Sequence, residues 1–261
     1  MGLDVRFEKG VGPIVEQVSS IADLSRVADA TAADRLSPVY ETVRRVKAEL
    51  PETTTLIGFA GAPWTVGLYA IEGRGKTDKS TAIKWAQGRP EELRALLLRI
   101  ADASVEYLKR QVEAGADALM LFDSWAEGLA DNVFREIIIE PTVYLVEKLR
   151  AEGVTVPIIG FPRGAAAMLP EYAAKTGVTA VGLDTAVSPI YVRDNLPKML
   201  PVQGHLDPLL LIEGGTRLDD RVRELVAAYQ DRPHIFNLGH GVRPETPIEN
   251  VERVMRVLRE G

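Results

Sequence analysis

Short apolar runs alternate along the chain with longer segments whose apolar residues recur every three or four positions. The longer segments, such as the one that carries Leu93, Leu96, Leu97 and Ile100, predict amphipathic helices. The runs lack polar–apolar alternation and predict strands that are buried on both faces, as in a parallel sheet. These six strands are expected at residues 56–59, 118–122, 157–161, 180–183, 201–203 and 235–238. Such alternation of strand and helix indicates either a doubly wound sheet or a (β/α)8 barrel.

Glycine positions mark where several helices are expected to end. Gly115, Gly153 and Gly177 each follow a helical pattern and precede a strand, so we expect them to close their helices with positive φ. Ahead of the first strand, apolar residues around Val5 and Ile14 flank a glycine-rich turn and predict a hairpin. A helix is expected over residues 37–50.

The strand endings favour the barrel. Five of the six predicted strands are followed by Gly or Pro and then by polar or aromatic residues, in the segments GAPWT, DSWAEG, PRGA, GHLDP and GHG. Barrel enzymes build their active sites from loops at the carboxyl ends of the strands, although each ending taken alone is also a common turn sequence. A closed barrel has eight strands in about 250 residues. The alternatives are therefore an open six-stranded sheet and a barrel without its first two βα units.

The composition narrows the class of protein. The chain has 261 residues, a net charge of -6 and no cysteine. The absence of cysteine excludes disulfides, thiolate nucleophiles and cysteine-based zinc sites, and the acidic balance argues against a nucleic-acid surface. The sequence shows no run of 18 apolar residues and no signal-peptide pattern, so we expect a cytoplasmic location and no membrane partner. No glycine-rich dinucleotide fingerprint or P-loop follows a strand, which disfavours nucleotide cofactors.

Four side chains near strand endings are the leading candidates for chemistry. His240 in NLGHG lies between glycines whose N–H groups can form an anion-binding concavity; the alternative is a turn cap. Ser124 in LFDSW lacks a nucleophile elbow and is expected to donate a hydrogen bond. The preceding Asp123 is either functional or a satisfied turn carboxylate. Tyr69 lies one or two turns beyond the first strand and serves packing unless its hydroxyl faces the barrel mouth.

Other polar residues near the strand ends are weaker candidates. The spacing of His205 and Asp207 suits a metal, but no third ligand is evident, so turn chemistry is expected. His234 precedes its strand and is assigned to the opposite, structural end of a barrel. Arg163 and Arg243 follow two strand ends and either pair with carboxylates or are solvated at the surface.

Several motifs together resemble one enzyme family. They are GFAGAPWT, YAIEG, LFDSWAEGL, GFPRGA, VGLDTAV, QGHLDP and FNLGHGV. In order and spacing they are similar to uroporphyrinogen decarboxylases of heme biosynthesis, and the resemblance runs from about Met1 to the end of the chain. It implies a single (β/α)-barrel domain over residues 1–261 that lacks the first two βα units of the (β/α)8 barrel, a homodimer, and no metal or organic cofactor. It also implies removal of the four acetate carboxyl groups of uroporphyrinogen III to give coproporphyrinogen III.

The resemblance assigns site residues only in part. The family's substrate-contacting tyrosine, serine and histidine match Tyr69, Ser124 and His240. The family also has arginines on its first strand and, at the end of its second, an aspartate that binds the pyrrole N–H groups; neither has a match here. The opening segment MGLDVRFEKGVGPI resembles the family's hairpin just after that aspartate, so these residues would precede Met1 and the catalytic residues are unassigned. We therefore expect this chain alone to be inactive or weakly active.

Two other functions remain open at this point. One is a truncated, non-catalytic barrel that binds a tetrapyrrole, whose unpaired strand edges at 56–59 and 235–238 would favour association. The other is a cobalamin- or zinc-linked methyltransferase on the same barrel. Because such relatives hold zinc with His and Cys, the absence of cysteine counts against it.

Overall fold

The strands expected from the apolar runs are present, and each begins within one residue of its expected start. The computed structural model describes residues 3–8, 12–20, 22–23, 32–75 and 78–260. The chain divides into two units, Met1–Val178 and Thr179–Gly261. The described residues contain three parallel strands in each unit.

Unit 1 consists of an antiparallel hairpin and three parallel strands with their helices. Its strands are β1 (Val5–Glu8), β2 (Gly12–Val15), β3 (Ile57–Gly61), β4 (Ala118–Asp123) and β5 (Ile158–Pro162). Its helices are α1 (Ala32–Arg35), α2 (Ser37–Glu49), α3 (Pro63–Glu72), α4 (Ser80–Gly88), α5 (Pro90–Glu113), α6 (Asp131–Phe134), α7 (Glu140–Ala151) and α8 (Leu169–Lys175). A π-helical turn (Arg135–Ile139) follows α6, and a 3-10 turn (Ala166–Met168) precedes α8.

Unit 2 continues the alternation of strands and helices. Its strands are β6 (Ala180–Gly182), β7 (Val202–Leu206) and β8 (His234–Leu238). Its helices are α9 (Pro189–Asn195), α10 (Pro208–Glu213), α11 (Gly215–Tyr229) and α12 (Ile248–Glu260). Strand β7 pairs in parallel with β6 and with β8, and the second register runs from Val202 opposite His234 to Leu206 opposite Leu238.

Helix α5 shows how the apolar pattern becomes packing. Leu93, Leu96, Leu97 and Ile100 are at most 1% exposed, as their spacing predicts. Burial of each such side chain stabilises the fold by about 2 kcal/mol. Helix α3 approaches this face closely at Gly67, where a Cβ atom would lie 2.7 Å from Leu97 Cδ2.

The local signals at helix ends and in the hairpin are confirmed. Gly115, Gly153 and Gly177 all have positive φ, between 71° and 114°. Strands β1 and β2 pair antiparallel, although residues 9–11 of the expected turn lie outside the described residues. The helix expected over 37–50 is α2. Among the residues that the structure describes, no helix is both long and apolar enough to cross a bilayer.

The expectation that all six strands are buried on both faces is wrong for β3 and β8. Strands β4, β5, β6 and β7 are buried along nearly their whole length. In contrast, Ile57, Phe59 and Ile235 are 37%, 57% and 43% exposed. Among the described residues of its own unit, each of these two strands pairs on one side only. One face of β3 and one face of β8 are therefore covered by fewer neighbouring side chains. The single-domain organisation stays a prediction.

Candidate active site

The register of unit 1 aligns the carboxyl ends of its three parallel strands. Gly61 lies opposite Phe122, and Asp123 lies opposite Pro162. The segments GAPWT, DSWAEG and PRGA therefore start at one edge of the sheet. Backbone hydrogen bonds join them, from Ala62 N to the Phe122 carbonyl (2.9 Å) and from Arg163 N to the Asp123 carbonyl (3.1 Å). Within unit 1 these three segments therefore lie side by side.

The carboxyl group of Asp123 caps helix α3 from the neighbouring strand. Ala62, the N-cap residue of α3, supplies no side-chain hydrogen bond, which leaves first-turn N–H groups to find other acceptors. Asp123 Oδ1 accepts the Thr65 N–H at 3.1 Å and the Thr65 hydroxyl at 2.8 Å. It therefore does what an Asp at the N-cap itself would do, and it attaches α3 to the end of β4.

Burial gives Asp123 unusual electrostatics. The residue is 1% exposed, and desolvation raises the pKa of its carboxyl to about 7, against the lowering effect of the Thr65 hydrogen bonds and of the Lys79 charge. Its Oδ2 atom has no hydrogen-bond partner among the described residues. Tyr172 is also fully buried, and burial followed by the Asp123 charge raises the pKa of its hydroxyl. Asp123 is thus neither a solvated carboxylate nor an ordinary turn residue.

The segment after Asp123 is held by side chains from other elements. The Trp125 carbonyl accepts hydrogen bonds from Trp64 Nε1 (3.0 Å) and Lys79 Nζ (2.9 Å). Lys79, whose side chain is 9% exposed, also forms an ion pair with Glu127 at 2.9 Å. Arg163 Nη1 donates to the Ser124 carbonyl at 3.0 Å and lies 3.4 Å from Glu127 Oε2. Of the two alternatives for Arg163, the structure thus shows carboxylate pairing.

Tyr69 and Ser124 come to the same part of unit 1. Tyr69 lies on α3, one turn after Thr65, and is half-buried. Its ring meets that of Trp125 edge to face, with centroids 6.5 Å apart, and Ser124 is the half-buried residue before Trp125. Gly75 leaves room for both rings, because a Cβ there would lie 2.7 Å from Tyr69 Oη and 3.0 Å from Trp125 Cζ2.

His240 belongs to unit 2. It follows the carboxyl end of β8, as expected, and is exposed. Its Nδ1 accepts the Gly241 N–H at 2.6 Å. The assignment of His240, together with Tyr69 and Ser124, as a substrate contact stays a prediction.

The other polar candidates of unit 2 have local partners. The buried His205 has its Nε2 at 2.9 Å from the Tyr229 hydroxyl, and burial lowers its pKa to about 4. Asp207 accepts the Leu209 N–H at 2.9 Å and caps α10, which confirms turn chemistry. His234 is the first residue of β8; its Nε2 carries the proton, since it lies 2.7 Å from the Gly204 carbonyl, which only accepts.

The remaining candidate is Arg243, and an open cavity lies at the β1–β2 hairpin. Arg243 is 4.0 Å from Glu245 and is exposed. Among the described residues, no group of three or more His, Asp or Glu side chains is arranged to hold a metal ion. An open cavity of about 690 Å³ is lined by the β1–β2 hairpin and residues 72–74. None of the candidate side chains lines that cavity.

Comparison with known proteins identifies the family. The model of the family "Uroporphyrinogen decarboxylase (URO-D)" matches residues 1–261. The chain belongs to the uroporphyrinogen decarboxylase family. A uroporphyrinogen decarboxylase of Hyphomonas neptunium is 71% identical over 259 residues, which are 99% of this chain and 75% of that protein. A uroporphyrinogen decarboxylase of Rhizorhabdus wittichii is 47% identical over 262 residues, which cover 99% of this chain and 75% of that protein. The resemblance drawn from the motifs is confirmed.

The fold class is confirmed with the family. Uroporphyrinogen decarboxylases have a (β/α)8 barrel, and the described part of this chain contributes six parallel strands of α/β type. A solved methyltransferase from Methanosarcina mazei covers 100% of this chain and 76% of its own, with a TM-score of 0.83 and 18% identity. At that identity the likeness concerns the fold alone. The methyltransferase alternative is not favoured, because the full-length sequence match is to uroporphyrinogen decarboxylases.

Sequence reasoning missed three residues that organise this part of the uroporphyrinogen decarboxylase fold. Thr65 forms hydrogen bonds with Asp123. The ion pair between Lys79 and Glu127 holds the segment that follows Asp123. The position of Thr65 in the first turn of a helix without a capping side chain was a readable signal. Lys79 carried none, since its partners lie 46 and 48 residues away.

Proposed function

We propose that this chain carries a large part of the active site of a uroporphyrinogen decarboxylase, a carboxy-lyase that converts uroporphyrinogen III to coproporphyrinogen III. The observation that carries the proposal is 71% identity to a uroporphyrinogen decarboxylase over 99% of the chain. The grouping of Tyr69, Ser124 and Asp123 around the strand ends of unit 1 supports it. A homodimer in the cytoplasm belongs to the same proposal and rests on the family.

The reaction needs little covalent chemistry from the protein. Protonation of a pyrrole carbon makes the ring an electron sink, so the C–C bond to the acetate carboxyl breaks, CO2 leaves and its bonding electrons enter the ring. A second proton then converts the remaining methylene into a methyl group, and the proton first added to the ring carbon leaves as the aromatic pyrrole is restored. Each acetate thus consumes one proton net and releases one CO2. The protein has to bind and orient the substrate and stabilise the developing positive charge.

Tyr69, Ser124 and His240 are proposed as substrate contacts. Their side chains can donate hydrogen bonds to the carboxylates of the tetrapyrrole, which carries eight of them. Two cations beside Ser124 are already engaged, because Lys79 and Arg163 both bind Glu127 and backbone carbonyls. The family's arginines and pyrrole-binding aspartate have no match here, so the catalytic residues stay unassigned. We expect the chain alone to be inactive or weakly active.

An assay with uroporphyrinogen III under anaerobic conditions tests the proposal. The products are oxidised to porphyrins, separated by chromatography and compared with those of the Hyphomonas neptunium relative. Little or no turnover, together with saturable binding of the tetrapyrrole, is the expected result. Turnover equal to that of the relative would refute the expectation that this chain alone is impaired.

Tetrapyrrole binding by single variants tests the substrate contacts. We expect Y69F, S124A and H240A to weaken binding, since each removes a hydrogen-bond donor. The matched control is Y144F, which removes an exposed hydroxyl bonded to Asp102 on another surface of unit 1. Wild-type affinity in all three site variants would contradict the assignment. No binding by the wild type would contradict the proposed function and its non-catalytic alternative together.

A further inference from the structure

Asp123 lies next to a proposed substrate contact but is itself sealed from solvent. It precedes Ser124 in the chain and is 1% exposed. Its side chain turns toward α3, where Oδ1 binds Thr65. A group so placed acts on a ligand through the residues it holds.

The element that Asp123 holds carries Tyr69. Thr65 and Tyr69 are four residues apart on α3, so they share one face of the helix. The Asp123 carbonyl also accepts the N–H groups of Arg163 (3.1 Å) and Ala126 (3.4 Å). One residue therefore joins α3, the segment after β4 and the segment after β5.

Burial of the Asp123 carboxyl group costs free energy when the group is ionised, and packing alone gives no reason for an ionisable side chain at this position. A carboxylate removed from water destabilises the fold unless both of its oxygens are satisfied, and Oδ2 has no partner among the described residues. Within that part of the chain, the titratable or charged side chains facing it are Lys79, Glu127 and Tyr172. An uncharged amide would offer Thr65 the same Oδ1 acceptor at a smaller desolvation cost, but without charge-assisted hydrogen bonds.

We propose that Asp123 is a positioning residue of this site, which through Thr65 sets where the Tyr69 hydroxyl stands relative to Ser124. The inference rests on the proposed function, because it takes Tyr69 and Ser124 as substrate contacts. The ionised carboxylate holds the α3 terminus by charge-assisted hydrogen bonds, which are shorter and stronger than those to a neutral carboxyl. The tetrapyrrole affinity should accordingly depend on the protonation of Asp123.

The variant D123N tests this, because Asn keeps the Oδ1 acceptor and the shape but does not titrate. We measure uroporphyrinogen III binding by wild type and D123N from pH 5.5 to 8.5. The two should bind equally at pH 5.5, where the wild-type carboxyl is protonated. At pH 8.5 the wild type should bind about tenfold more tightly, with the change centred near pH 7. A ratio of affinities that does not change with pH would overturn the proposal.

A double-mutant cycle separates positioning from general stability. If Asp123 acts through Tyr69, D123A and Y69F should be non-additive, so that D123A has little further effect on binding in the Y69F background. Additive effects would overturn the proposal.

Tryptophan fluorescence, to which Trp64, Trp85 and Trp125 contribute, supplies a readout that needs no ligand, and a W125F variant identifies the share of Trp125. That share should titrate near pH 7 in wild type and not in D123N, because Trp125 contacts Tyr69. If the wild type shows this titration but binds no tetrapyrrole, Asp123 still positions α3 and the proposed function alone has failed. If the fluorescence does not titrate, the positioning role is wrong whatever the chain binds.

Discussion

The side-chain amide of Gln111 pairs with both backbone groups of Phe59. Gln111 Nε2 donates to the Phe59 carbonyl and Gln111 Oε1 accepts the Phe59 N–H, each at 3.0 Å. On β3 the backbone groups that face β4 belong to even-numbered positions, since Leu56 O and Ala62 N bond toward that strand. The backbone N–H and C=O groups of Phe59, an odd-numbered position, therefore point to the side of β3 away from β4. There the buried Gln111 side chain of α5 forms the hydrogen bonds that a neighbouring strand would form.

Removal of this amide should destabilise unit 1 and expose a strand edge. We expect Q111L to lower the free energy of unfolding by about 2 to 3 kcal/mol, because it leaves two backbone groups unpaired. It should also increase self-association. Urea unfolding and sedimentation velocity measure the two effects. The control is Q87L, at an exposed position on α4, and equal losses in both variants would contradict the role of Gln111.

Asp123 should make stability depend on pH in an unusual direction. Its folded-state pKa, about 7, lies above the ordinary value of 3.8, so the folded state holds this proton more tightly. Its contribution to stability is fully present below about pH 3.8 and is lost as pH rises to 7, by about 4 kcal/mol in all. We expect the free energy of unfolding of D123N to rise relative to that of wild type between pH 3.8 and 7. Above pH 7 the difference between the two should stay constant. Unfolding in urea at a series of pH values measures this, and a difference that shrinks with rising pH would contradict it.

His205 should have the opposite effect in an overlapping range. Its folded pKa, about 4, lies below the ordinary value of 6.5, so the unfolded state binds the proton more tightly. The stability from neutral His205 is present above pH 6.5 and is lost as pH falls toward 4. We expect H205Q to flatten the decline of stability between those values. An unchanged slope of the free energy of unfolding against pH would show that His205 does not titrate in this way.

The bond between His205 and Tyr229 gives a separate prediction at neutral pH. We expect Y229F to lower the free energy of unfolding by about 1 to 3 kcal/mol, because it leaves the buried His205 Nε2 without its partner. Thermal unfolding measures the loss. The variant Y144F is the control, since its hydroxyl is exposed. A similar loss in both variants would contradict the importance of the buried pair.

Gly164 should tolerate a side chain poorly for two separable reasons. Its φ is +75°, and a Cβ atom would lie 2.3 Å from Glu127 Cβ. Gly128 has nearly the same φ, +73°, with nothing within 4 Å of its Cβ position. We expect G128A to cost about 1 to 2 kcal/mol for the backbone alone and G164A to cost more, because Glu127 must shift away from Lys79 and Arg163. Thermal unfolding compares the two variants, and equal losses would show that the contact with Glu127 is unimportant.

The sequence predicted the strands well because each is a short, dense apolar run. All six begin within one residue of the expected position, and the turn glycines behave as their places between helix and strand indicate. Burial was predicted less well. The same kind of run occurs in β5 and in β3, yet Phe161 is 6% exposed and Phe59 57%, because exposure depends on which neighbours cover a strand and not on its own residues.

The positions of the candidate site residues at the strand ends were predictable from the sequence, but their hydrogen-bond partners were not. Tyr69 and Ser124 lie where the strand endings placed them, within unit 1. The role of Asp123 was left open because its partner Thr65 lies 58 residues away, and no local pattern reports a hydrogen bond at that separation. Long-range pairing of this kind follows from the register of β3 and β4, which sequence periodicity does not encode.

The sharing of Glu127 by Lys79 and Arg163 bears on how an acidic molecule would be recognised. Two cations that bond to this segment direct their charge inward, onto one carboxylate and the carbonyls of Ser124 and Trp125. Glu127 offsets one of their two positive charges, which reduces their attraction for an acidic molecule. If Tyr69 and Ser124 contact the substrate as proposed, their hydroxyl groups contribute more to the recognition of its carboxylates, and added salt should weaken this part of the affinity less than it weakens exposed ion pairs.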